Sequence, residues 1–207
     1  MQVPTFTGTN LYRPAQYGKL RPVQASTPTL LTPPDPGWRL IPQVNRATLP
    51  ADAGDWLLNE GSLTQYLIEK SGGDFEVVRI AQSWQSPYPS ERALLGLRDR
   101  QWALVREVAL HCHGQAWVYA RSVLPVTTLT GPLRHLRRLR NESLGSLLFQ
   151  DPHLKRGPFE IVQLPASSSY IHPSLRQPQP AWARRSRFCL YGRPLSVSEV
   201  FLKQFQP

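Results

Sequence analysis

Apolar positions alternate along Trp102–Cys112, where Trp102, Leu104, Val108, Leu110 and Cys112 share one side and Arg106 interrupts them. That period of two predicts a half-buried strand. A second run, Trp117–Leu124, returns after Gly114-Gln115, so the two read as a hairpin around that dipeptide. Arg185–Tyr191 and Leu195–Leu202 form a second hairpin around Gly192-Arg193, and Phe75–Ser83 and Phe159–Leu164 read as single strands from their Phe, Val and Ile content. Helical signals lie between these runs. Asp55–Asn59 reads as a short helix ended by Gly61. Ser62-Leu63-Thr64-Gln65 matches a capping box, opening a helix through Tyr66, Leu67 and Ile68. After Gly131-Pro132, Leu133, Leu136 and Leu139 recur every third residue with Arg134, Arg137, Arg138 and Arg140 between them, as on an amphipathic helix. A further helix opens near Ser143 and runs through Leu147, Leu148 and Phe149. Hairpins with helices grouped between them predict an α+β domain on an antiparallel β-sheet flanked by helices.

The periodicity stops at both ends of this domain. Nine of the 21 prolines fall in the first fifty residues, including Pro33-Pro34-Asp35-Pro36, so residues 1–48 read as a Pro-rich extension and 49–207 as the domain. Leu164–Ala181, with Ser167-Ser168-Ser169 and four prolines, reads as a long surface loop. No repeat is visible.

Composition narrows the class. The 207 residues are 41% hydrophobic with 18% charged, enough apolar material for one core and too much for a disordered chain. No apolar run approaches the roughly 20 residues of a membrane helix, and no secretory block opens the chain, so a cytoplasmic location without stable membrane insertion is expected. Cys112 and Cys189 are the two cysteines, too few for a disulfide framework or a zinc site. His111-Cys112-His113 reads as a strand end entering a turn, because on a strand the cysteine points away from both histidines. With 24 Lys plus Arg against 14 Asp plus Glu, the net charge of +10 favours an anionic partner. The arginines of 134–140 read as a solvated helix face rather than a nucleic-acid surface, since a charge run alone specifies little.

Three charges fall on apolar strand faces. Arg106 is one. With Gly114-Gln115 as the loop, Arg121 stands opposite Val108 and joins Arg106 on the same face; a one-residue slip reverses that, and one arginine snorkelling to the sheet edge is the alternative. Glu199 is the third, on a face with Leu195, Val197 and Phe201 and opposite Ser186, as a site carboxylate or half of a structural salt bridge. The helix starts after Ser62 and at Ser143-Leu144-Gly145 add unsatisfied backbone donors. Together these predict a closed pocket for a small dianion. Neither a phosphate-binding Gly-rich loop nor a nucleophile elbow is present in the sequence.

These residues, in order, resemble the chorismate lyase family. The likeness runs from Asp55-Trp56-Leu57-Leu58 and Ser62-Leu63-Thr64 through Val105-Arg106-Glu107, Ala120-Arg121-Ser122-Val123-Leu124-Pro125 and Thr130-Gly131-Pro132. It continues in Leu144-Gly145, Leu148-Phe149, Arg184-Arg185-Ser186-Arg187, Gly192, Pro194-Leu195 and Glu199-Val200-Phe201-Leu202. The resemblance implies a cofactor-free, monomeric lyase with an internal site covered by flaps, converting chorismate to 4-hydroxybenzoate and pyruvate for ubiquinone or plastoquinone biosynthesis, with no metal and no nucleic acid. It also implies roles: Arg106 binds the ring carboxylate with the backbone amides of Leu63 and Leu144, Glu199 meets the ring hydroxyl, and Arg121 is catalytic near Glu199 or the enolpyruvyl group. Leu63 stands where the family also has methionine, and the 164–181 segment is longer than in compact members. The alternative is a non-catalytic effector-binding module of similar fold.

Overall fold

The computed structural model describes residues 35–206. Its strands are β1 (Arg39–Leu40), β2 (Phe75–Gln85), β3 (Ala103–Cys112), β4 (Gln115–Pro125), β5 (Lys155–Arg156), β6 (Glu160–Leu164), β7 (Ala181–Leu190) and β8 (Arg193–Phe201). They form one antiparallel sheet in the order β1-β6-β7-β8-β4-β3-β2, with β5 pairing β7. The expected α+β class holds.

Both long hairpins turn one residue earlier than the sequence suggests. The turn residues are His113-Gly114 and Tyr191-Gly192, and all four have positive φ, between 51° and 73°. A two-residue turn of that kind matches the right-handed twist of its strands, and a non-glycine residue accepts the first position. His113 thus leaves the strand while Cys112, its last residue, is fully buried.

The sheet buries both faces. On the front face, α1 (Leu63–Lys70) places Leu63 and Leu67 over Val77, Val108, Leu110 and Val118. Beside it, α3 (Leu144–Gln150) and a 3-10 helix (Gly131–Arg138) bury Leu133, Leu136, Leu144 and Leu148 against Leu104, Leu124, Leu195 and Val197. On the back face, α2 (Pro89–Leu95) and Tyr170 and Ile171 of the 165–180 segment cover Tyr119, Ala183 and Val200 or the neighbouring Ala103, Val105 and Val123. The long loop is therefore a back-face cover. Residues 35–48 also meet the domain: Arg39–Leu40 pairs with β6, and the Trp38 ring lies 5.8 Å from Tyr170.

Two local expectations change, and one further helix appears. Asp55–Asn59 forms turns, not a helix, with Asp55 N–H donating to Asp52 and Leu58 N–H to Ala53. The Arg-Leu segment is a 3-10 helix, whose threefold repeat suits leucines at every third position better than an α-helix does. The helix α2 carries no long apolar period; Pro89 at its start, Glu91 accepting from Tyr88 N–H at 2.9 Å, and left-handed Gly96 at its end define it.

Candidate active site

The starts of α1 and α3 meet over the middle of the front face. Ser62 caps α1 by accepting from Gln65 N–H at 3.3 Å, and Ser143 caps α3 by accepting from Ser146 N–H at 3.1 Å. Gln65 does not return the capping-box bond; its side-chain amide donates to Glu69 instead. The two starts are joined by a 2.6 Å hydrogen bond between the Thr64 and Ser143 hydroxyls. Gly145 makes the approach possible, since a Cβ there would stand 3.2 Å from Thr64 Oγ1. Below this roof lies a small cavity of about 30 Å³, floored by Arg106, Val108, Ala120, Ser122 and Glu199. The first-turn amides of Leu63, Thr64, Leu144 and Gly145 have no intrahelical partner by the geometry of any helix start.

Arg106 and Glu199 are thus brought together by β3 and β8, with β4 between them. Arg106 is 1% exposed. One of its terminal nitrogens donates at 2.8 Å to the carbonyls of Arg140 and Glu142, pinning the loop into α3, whereas its buried Nε has no partner. Burial, then the charge of Arg79, pull its pKa down to about 10, against the attraction of Glu142. It is a desolvated cation still charged at neutral pH.

Glu199 accepts at 2.6 Å from Nε of Arg184, which stands directly opposite it on β7. Arg184 is itself 1% exposed and donates to the carbonyls of Trp56, Leu57 and Asn59 at 2.7, 3.4 and 2.8 Å. Arg156 lies nearby, donating to Ser186 Oγ at 3.1 Å with its guanidinium 3.8 Å from the Phe159 ring centroid. Burial pulls it, too, down to about 10, with Glu199 opposing. A larger cavity of about 630 Å³ lies between Leu40–Pro42, Phe149, Arg156 and Phe159, but it contains neither Arg106 nor Glu199. Converging buried charges mark a site better than volume does.

Leu144 lines the cavity, whereas the Leu63 side chain packs into the core and its neighbour Thr64 takes the wall position. Arg121 is a correction. It pairs with Glu107 and points to the back face, away from Arg106, which stands opposite Ser122. Moving the turn by one residue would keep the expected facing. The reversal comes from the register shift after Leu110, where Trp117 is an extra residue in β4 and sends every later side chain to the other side. Arg121 is instead held by Glu91 at 2.7 and 3.2 Å and by Glu107 at 3.0 Å. Tyr119 donates to Glu107 at 2.5 Å, and the Tyr88 ring lies 4.5 Å from the guanidinium.

Glu199 keeps its expected face, but its opposite number is Arg184, not Ser186, because the earlier turn moves the pairing by two residues. A strand that starts at Arg185 omits Arg184, whereas β7 starts at Ala181. Along β7 the alternation Arg184, Ser186, Phe188, Leu190 displays it. Among the described residues no group of three or more His, Cys, Asp or Glu side chains is placed to hold a metal.

The architecture is that of an α+β domain whose antiparallel sheet and two helix starts enclose a small pocket lined by Arg106 and Glu199. Its fold is similar to the effector domain of PhnF from Mycobacterium smegmatis, with a TM-score of 0.50 and 15% identity over 72% of this chain and 93% of that one. Sequence narrows the class further. The family model for chorismate lyase matches residues 38–206. The chain is 42% identical to "Probable chorismate pyruvate-lyase" of Methylococcus capsulatus over 151 residues, 71% of this chain and 92% of that protein. It is 39% identical to "Probable chorismate pyruvate-lyase 2" of Pseudomonas fluorescens over 168 residues, 81% and 89% of the two chains. The chain belongs to the chorismate lyase family and is an enzyme of that family.

Proposed function

We propose that the enzyme eliminates enolpyruvate from chorismate, yielding 4-hydroxybenzoate and pyruvate for quinone biosynthesis, as a cytoplasmic monomer. The observation that carries this reading is an unneutralised buried cation: Arg106, with an unpartnered Nε, lines the same cavity as Glu199, whose own charge is already met by Arg184. A dianion supplies the missing charge. The ring carboxylate binds Arg106 and the amides at Leu63 and Leu144, and the ring hydroxyl donates to Glu199 at the other end.

In the reaction the C3–O bond breaks and C4–H is lost. The C–H electron pair completes the aromatic ring, and the proton ends on the enolpyruvyl methylene carbon, which becomes the methyl group of pyruvate. Aromatisation drives the step, so the protein's work is orientation and electrostatic stabilisation of departing enolpyruvate in a site closed to water. An ion-paired Glu199 accepts the hydroxyl hydrogen bond and fixes the ring. Arg184 positions Glu199, and Arg121 supports β4 from behind without touching substrate. A cavity of about 30 Å³ holds roughly one water. Substrate therefore enters by lifting the α1–α3 roof, and the Thr64–Ser143 bond is the contact that opens.

The test is to incubate the full chain with chorismate, without added metal, and follow 4-hydroxybenzoate and pyruvate together. Equal formation of both is expected. Glu199→Ala should lower kcat about 100-fold, on the scale of a lost charge-assisted contact at the reacting ring. Chorismate bound but left intact would instead make the chain an effector-binding module, and neither binding nor turnover would remove both readings.

A further inference from the structure

Five large apolar side chains are exposed among the described residues, and three of them lie at the ends of neighbouring strands: Trp84, Trp102 and Val126, exposed by 42%, 57% and 43%. The sheet register brings them together. Trp84 pairs across to Leu104, the alternation of β3 carried one residue past its start puts Trp102 on the Leu104 side, and Val126 N–H donates to the Trp102 carbonyl at 3.4 Å. The ends of three neighbouring strands thus present two indoles and a valine on the front face, beyond the edge of the 3-10 helix.

That helix supplies the rim. Its leucines turn inward, leaving Arg134, Arg137 and Arg138 exposed, and no carboxylate among the described residues is ion-paired with any of them. The Arg137 guanidinium lies 5.9 Å from the Trp84 ring centroid, and the Arg137 carbonyl accepts from Gln82 at 3.0 Å, so the rim is fixed to the patch. An exposed apolar centre with unneutralised arginines beside it fits a surface that is hydrocarbon within and anionic outside.

We propose that this edge docks the protein on anionic lipid bilayers, with Trp84 and Trp102 at headgroup depth and Arg134, Arg137 and Arg138 on lipid phosphates. Indoles favour that depth because the ring is apolar and its N–H stays hydrated. A nucleic-acid surface fits less well, since the valine between the strands offers a base neither stacking nor a hydrogen bond.

The test is flotation of the full-length protein with vesicles of phosphatidylcholine alone or mixed with phosphatidylglycerol. Binding to the mixed vesicles only, falling as salt rises, is expected. Replacing Arg134, Arg137 and Arg138 by Gln should weaken it about 100-fold, given roughly one kilocalorie per basic residue near such a surface. Trp84→Ser with Trp102→Ser should weaken it about tenfold or more. Chorismate turnover is unchanged in the arginine variant, which shows that it folds. The proposal is overturned if the wild-type protein ignores phosphatidylglycerol, if both variants bind like the wild type, or if the patch captures a single-stranded oligonucleotide and not vesicles.

Discussion

On the back face of the sheet, Arg121 and Arg185 meet three carboxylates, Glu91, Glu107 and Glu160; on the front face, of Arg106, Arg156 and Arg184 only Arg184 is ion-paired among the described residues, with Glu199. The back-face set is complete within itself: each guanidinium has a carboxylate within 2.5 to 3.0 Å, and Tyr119 and Tyr170 bond to Glu107 and Glu91. The front-face set uses main-chain carbonyls of Trp56, Asn59, Glu60, Arg140 and Glu142 in place of carboxylates and leaves Arg106 Nε bare. Carbonyl dipoles satisfy hydrogen bonds without cancelling charge. Two buried charge clusters therefore differ in kind, one with a carboxylate on every guanidinium and the other with two guanidinium groups that no carboxylate among the described residues pairs.

Swapping the arginines is the strongest test of that contrast. Arg121→Met should cost about 3–5 kcal/mol of stability, because Glu91 would be left buried without its cation. Arg106→Met should cost much less by urea denaturation but raise the KM for chorismate about 100-fold, since two or three kcal/mol of charge-assisted bonding to the substrate is lost. Equal destabilisation by both would erase the distinction.

A smaller effect comes from the ligand. If the front face lacks only an anion, 4-hydroxybenzoate at 100 times its Kd should stabilise the protein by about 2.7 kcal/mol, raise Tm accordingly, and do nothing for Arg106→Met. An unchanged wild-type Tm would count against product binding in this pocket.

The smallest effect is in alkali. Burial, then Glu107 and Glu91 respectively, hold Tyr119 and Tyr170 above the ordinary tyrosine value, so their stabilisation is full below pH 10 and is lost as pH rises beyond it. Arg106 and Arg156, lowered to about 10, act oppositely, because above that pH the unfolded chain binds more protons than the folded one. Replacing both tyrosines by Phe leaves the arginine contribution unopposed, so the urea midpoint should rise relative to the wild type between roughly pH 10 and 11. An unaltered slope would place the alkaline sensitivity elsewhere.

The sequence carried the strand faces wherever pairing was unbroken. Leu195, Val197, Glu199 and Phe201 keep their common face because displacing the turn by one residue shifts the pairing by two and preserves parity. Arg106 was legible for the same reason, as a charge within an apolar alternation. Arg121 was not, since nothing in Gln115–Pro125 as a string announces that Trp117 is an extra residue in the ladder. The caps Ser62 and Ser143 could be read locally, but their meeting through Thr64 and Ser143 is a tertiary event between positions 79 residues apart. Helix α2 was invisible because capping and Glu91's burial beneath it, rather than amphipathic period, define it.

The reach of Arg184 also sets an order of events. Its guanidinium bonds the Trp56 carbonyl across 128 positions of chain, whereas β3–β4 and β7–β8 close through turns of two residues. Contacts so far apart carry a larger loop-closure cost and form after the hairpins. Until the 56–59 turn arrives, Arg184 has only Glu199 to meet and the pocket has no finished wall. During refolding, sheet circular dichroism should recover first and chorismate turnover later, with a lag between them; simultaneous recovery would mean that the distant turn docks as early as the hairpins.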